Sequence, residues 1–72
     1  MSFEAVKEII INNLGIEGET ISLESHLQDD LGIDSLDAVE LAMEIEEVTG
    51  VKIPDEDFAN MKTVGDIVNY QA

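Results

Sequence analysis

Ser35 stands between two aspartates in the run Leu31-Gly32-Ile33-Asp34-Ser35-Leu36-Asp37. A serine acts as a nucleophile only with a base beside it, and the single histidine, His26, lies well upstream. A solvated or loosely packed His26 fits the spacing better than a Ser-His pair, so catalysis has little support. The chain has no cysteine, hence no thiolate to serve as nucleophile or metal ligand and no disulfide. Asp29, Asp30, Asp34 and Asp37 raise the alternative of calcium. An EF-hand needs ligands at alternate positions, and counting from Asp29 puts Leu31 and Ile33 where ligands belong. That motif is absent, and no metal ligand set is expected. Weak divalent binding that relieves charge, or a plain interaction module, stays open as a second class of function.

Capping decides what Ser35 is free to do. Ser and Asp are both good N-caps. With Asp34 as the cap, Asp37 occupies the third helical position and approximates a capping box. With Ser35 as the cap, that position is Ala38, which offers no hydrogen bond. Asp34 is therefore the better cap, and the Ser35 hydroxyl is spare at a helix N-terminus. A phosphate ester there would meet free N–H groups and the positive end of the helix dipole. Asp34 and Asp37 oppose it with like charge, so phosphate affinity alone does not explain the motif.

Four helical stretches position this run. Ser2 can cap the first, in which Phe3, Val6, Ile9, Ile10 and Leu14 recur at helical spacing until Gly15. Residues 15 to 34 lack a long period but hold Ile16, Ile21, Leu23, Leu27, Leu31 and Ile33, so this long loop is expected to be ordered and packed over the bundle. The second helix is expected from Ser35 to Thr49, ending at Gly50. Val51 to Pro54 reads as extended, as the residues before a proline should. Asp55 could cap a short third helix through Met61. Thr63 with Asp66 resembles a capping box that opens a last helix through Val64, Ile67 and Val68. The expectation is an all-α fold: a small bundle of three longer helices plus one short helix, with a long ordered loop between the first two, in a single domain over 1–72.

The second helix is apolar on two sides. At about 100° per residue, Leu41, Ile45 and Val48 share one side with Ala38 and Ala42 flanking them, an ordinary core stripe. Leu36, Val39 and Met43 form another, roughly opposite. Asp37, Glu40, Glu44 and Glu47 border that second stripe and Glu46 lies on its other flank. Burying the helix all round would bury unpaired carboxylates at prohibitive cost. The second stripe is thus read as exposed inside a charged rim, the anatomy of a recognition surface. The alternative is that these three side chains pack against the long loop.

Composition bounds the function classes. The chain has 72 residues, 44% of them apolar, which is enough for one small core and too apolar for a disordered acidic tail. Only Phe3, Phe58 and Tyr70 are aromatic, so the core is aliphatic. Seventeen acids face three lysines, for a net charge of −14. Nucleic acid and anionic membrane surfaces, themselves polyanions, are poor partners for it. No apolar run reaches membrane-spanning length and no signal-peptide pattern opens the chain, so the expected compartment is the cytoplasm, without membrane insertion.

Asp34-Ser35-Leu36 resembles the DSL signature of acyl carrier proteins. Asp30-Leu31-Gly32, Asp37-Ala38-Val39-Glu40-Leu41, Ile53-Pro54-Asp55-Glu56-Asp57 and Lys62-Thr63-Val64-Gly65-Asp66 match the family in register as well, so the resemblance covers essentially the whole chain. It implies a non-enzymatic carrier, acting as a monomer, with phosphopantetheine attached covalently to Ser35 by a phosphopantetheinyl transferase. Acyl intermediates would ride as thioesters on the arm's thiol. It also implies that Asp34, Leu36, Asp37, Val39, Glu40, Met43, Glu46 and Glu47 form the docking face for basic-surfaced, acyl-handling enzymes. The acyl chain would shelter between the second and third helices, with Leu41, Ile45, Ile53, Phe58 and Met61 as its lining. The residues around Ser35 are closest to the fatty-acid type. A discrete carrier of a polyketide or other thiotemplate pathway is the alternative within the family.

Overall fold

A computed structural model describes residues 1–70. Among these residues four α-helices form, in the order α1 (Phe3–Leu14), α2 (Ser35–Thr49), α3 (Asp55–Ala59) and α4 (Val64–Val68). The all-α bundle forms as the periodicity predicts, but its proportions differ: α1 and α2 have 12 and 15 residues, α3 and α4 five each. The fourth helix is short because its apolar pattern is spent after Val68, and the Asn69 amide closes the turn on the Gly65 and Ile67 carbonyls.

Local capping explains the boundaries. Ser2 accepts a hydrogen bond from the Ala5 amide at the start of α1, and Gly15 ends it in the left-handed conformation at φ 67° that glycine adopts without strain. Thr63 and Asp66 make a complete capping box at α4. At α3 the expectation is corrected. Pro54, in extended conformation, occupies the cap position with no side-chain bond, and Asp55 is the first helical residue. The helix also stops at Ala59 rather than Met61. There the Asn60 and Met61 amides fall back on the Asp57 and Phe58 carbonyls, an i to i−3 tightening that ends the turn.

Val6, Ile9 and Ile10 of α1 pack mainly on α2, which supplies Leu41, Ala42 and Ile45, and then on Val64 and Ile67 of α4. The long loop joins this core through Ile21, Leu27 and Ile33, all buried, and includes a 3-10 turn at Gly18–Thr20. Ser25 is buried too. Its hydroxyl accepts from the Ser22 amide at 2.9 Å and donates to the Thr20 carbonyl at 3.2 Å, so its polarity is satisfied. The loop is tied to the α3–α4 connection by Leu27 N–H to Lys62 O at 2.8 Å, Val64 N–H to Ser25 O at 3.1 Å and Gly65 N–H to Leu23 O at 2.8 Å.

Two apolar residues depart from the expected core. Val48 is 58% exposed although it stands within about 20° of the buried Leu41 around the helix; it lies in the last turn of α2. Leu23 of the loop is 49% exposed, while its carbonyl is used by Gly65.

Candidate functional site at the start of the second helix

Asp34 begins the site as a helix cap. Its carboxylate accepts the Asp37 amide at 2.9 Å, and the Asp37 carboxylate accepts the Asp34 amide at 3.4 Å. Ser35 is then the first residue of α2 and is exposed. Among the described residues its hydroxyl has no hydrogen-bond partner. A group esterified there would disturb no bond of the fold, and it would sit by the amides that every helix leaves free in its first turn.

His26 is occupied elsewhere. Its Nδ1 accepts the Asp29 amide at 3.2 Å and lies 3.7 Å from the Asp29 carboxylate, and its own amide donates to Asp30 at 2.7 Å. Nothing joins it to Ser35 among the described residues, so no nucleophilic pair forms. No group of three or more side chains suited to holding a metal ion occurs among the described residues.

Along the outer side of α2, Leu36, Val39 and Met43 are 77%, 47% and 61% exposed. Glu40, Glu46 and Glu47 are exposed beside them, and Asp37 and Glu44 half-buried. The helix therefore presents an apolar line inside an acidic border and does not pack it under the loop. Net charge and border together favour a basic surface on whatever meets it.

A cleft of about 320 Å³ opens beside Ser35. Leu27, Gln28 and Ile33 of the loop form one wall, and Asp34, Ser35, Ala38 and Val39 of α2 another. Asp55, Phe58 and Ala59 of α3, with Met61, complete it. Of the five residues expected to line an acyl site, Phe58 and Met61 border this cleft. Leu41, Ile45 and Ile53 are buried in the core and off the cleft surface. The loop wall was missed because nothing in the periodicity of residues 15 to 34 shows which side chains turn toward α3. The apolar character of Leu27 and Ile33 was the available signal; Gln28 gave none.

The phosphopantetheine attachment site family matches residues 4–70. The chain is 51% identical over 70 residues to a curated acyl carrier protein of Clostridium acetobutylicum, an alignment that covers 97% of this chain and 91% of the relative. This chain belongs to the acyl carrier protein family. Its fold is similar to a solved structure described as an acyl carrier protein of Mycobacterium tuberculosis, with a TM-score of 0.83, 36% identity, and coverage of 92% of this chain and 88% of that one. It is a carrier of acyl chains on phosphopantetheine and not an enzyme. Among the described residues no helix is long and apolar enough to cross a membrane.

Proposed function

We propose that Ser35 bears the phosphopantetheine arm of a single carrier domain over 1–72, serving fatty-acid synthesis in the cytoplasm. The free, exposed hydroxyl on the first turn of α2, beside a cleft, carries this reading. A phosphopantetheinyl transferase is the partner that installs the arm. The Ser35 oxygen attacks the pantetheine-side phosphorus of coenzyme A; a new O–P bond forms as the P–O bond of the pyrophosphate breaks, the phosphorylated adenosine leaves, and the hydroxyl proton passes to a base on the transferase. Once attached, the arm supplies the thiol on which acyl groups ride as thioesters.

The chain's own residues then do two things. Asp34, Leu36, Asp37, Val39, Glu40, Met43, Glu46 and Glu47 offer an acidic, apolar-centred face to basic acyl-handling enzymes. Leu27, Ile33, Ala38, Val39, Phe58 and Met61 shelter the acyl chain from water between docking events. Val39 belongs to both surfaces, so a partner that covers it also covers the edge of the cleft.

Incubation with a phosphopantetheinyl transferase and coenzyme A is expected to add one phosphopantetheine mass to the wild type and none to Ser35→Ala. Labelling at another serine, or none on the folded wild type, overturns the assignment. The intact mass of the protein from its native cell distinguishes a fatty-acid cargo from a polyketide one.

A further inference from the structure

Phe58 holds an unusual position between the cleft and the core. Its ring lines the cleft and yet the residue is only 6% exposed. Leu41, Ile45 and Ile53, at 1%, 0% and 4%, belong to the same buried cluster, and none of them reaches the cleft surface. Phe58 thus stands at the boundary between the cleft and the buried cluster. The helix that carries the ring is anchored next to it. The Tyr70 hydroxyl donates to the Asp57 carboxylate at 2.9 Å, and the Phe58 amide donates to the Pro54 carbonyl at 2.9 Å.

We infer that Phe58 is the stop that sets the longest acyl chain this carrier can shelter. The inference rests on the reading that the occupant is an acyl group tethered through Ser35, whose own side chain borders the cleft. Capacity follows from volume. The 320 Å³ cleft holds about ten water-sized volumes of roughly 30 Å³ each, and a methylene takes up about as much. Chains up to about decanoyl therefore fit, and the carbons of longer ones stay in water.

The test loads the protein with a saturated series from acetyl to hexadecanoyl, using the acyl-coenzyme A thioesters and a transferase. Thioester cleavage by neutral hydroxylamine is then followed by intact mass. In the wild type each methylene that enters the cleft slows cleavage, by up to about fourfold, until the protection levels off near decanoyl. Phe58→Val moves that break out by about one to two carbons and Phe58→Ala by about three, each read where circular dichroism shows the variant folded. Should Phe58→Ala fail to fold, Phe58→Val decides. A general loosening of the domain speeds cleavage at every length without moving the break, so only a moved break supports the inference. An identical break in wild type and Phe58→Val overturns it, as does protection that keeps rising to hexadecanoyl in the wild type, while the sheltering reading survives both. Protection no greater for decanoyl than for acetyl overturns the sheltering reading itself.

Discussion

Asp34 and Asp37 hold each other across Ser35: the Asp37 amide donates to the Asp34 carboxylate at 2.9 Å and the Asp34 amide donates back to Asp37 at 3.4 Å. Two like charges are kept close because each satisfies a backbone donor that the helix start leaves free. The serine between them takes no part. Stability at this turn and reactivity at this turn are thereby assigned to different residues.

Replacing them should separate the two. Asp34→Ala is expected to destabilise the domain by about 1 kcal/mol through loss of the cap. Ser35→Ala should stay within about 0.5 kcal/mol, as an exposed residue without a bond. Urea denaturation of both variants measures this. A larger loss in Ser35→Ala than in Asp34→Ala contradicts the capping assignment.

Asp66 gives a dependence on pH. The amides of Lys62 and Thr63 donate to its carboxylate at 2.8 and 3.1 Å and hold its pKa below the ordinary 3.8. A carboxyl lowered by folding contributes stability above its unfolded value, and that contribution is lost as pH falls through the folded value. Asp66→Asn should therefore destabilise at neutral pH, by less than about 1 kcal/mol given its exposure to solvent. The gap to wild type should narrow once the pH drops below 3.8. Melting curves across that range check the sign; a gap that widens in acid refutes it.

Tyr70 offers a spectroscopic reading of how α3 is anchored. The hydrogen bond that its hydroxyl donates to Asp57, with loss of solvent and the carboxylate's charge as lesser causes, raises the phenol pKa above its ordinary 10.0. Ultraviolet titration of the phenolate should show that raised value in the wild type, falling back toward 10.0 in Asp57→Asn. An unchanged titration would mean that the contact is not kept in solution.

Charge sets the response to salt. With a net charge of −14, self-repulsion opposes the compact state, and ions that screen it should raise Tm between low and moderate ionic strength. Magnesium should do so at lower concentration than sodium. A flat or falling Tm argues that repulsion among the acids is not a limit on stability.

Glu40 tests the docking face. Glu40→Lys should weaken productive encounter with basic partner enzymes, by a factor that shrinks as salt is added, with little change in Tm because the residue is exposed. Kinetics with several partners that do not change would leave these acids only a role in solubility.

Much of the site was legible in local sequence, because caps and helix faces are short-range matters. Asp34 three residues before Asp37, Thr63 three before Asp66, and Gly15 and Gly50 after their apolar patterns mark ends that need no distant partner. The exposed line of Leu36, Val39 and Met43 was legible for a related reason, since the flanking carboxylates forbid its burial. Val48 was misplaced because a helical wheel gives direction but not where the neighbouring helix ends. The third helix was overextended and miscapped because five residues carry too little pattern to override the turn that Asn60 and Met61 make.

By itself, the sequence determined the helices, the acidic face of α2, the spare Ser35 hydroxyl and, through its resemblance, the family. Hydrogen bonds and periodicity between near neighbours are enough for these. Only the tertiary structure decided what lies beside Ser35. Leu27 reaches the cleft because its amide is held by the distant Lys62 carbonyl, and Phe58, not Leu41 or Ile45, faces the opening because of how α3 packs against α2. Such contacts join residues far apart in the chain, and no local pattern encodes which of two apolar side chains will stand in front of the other.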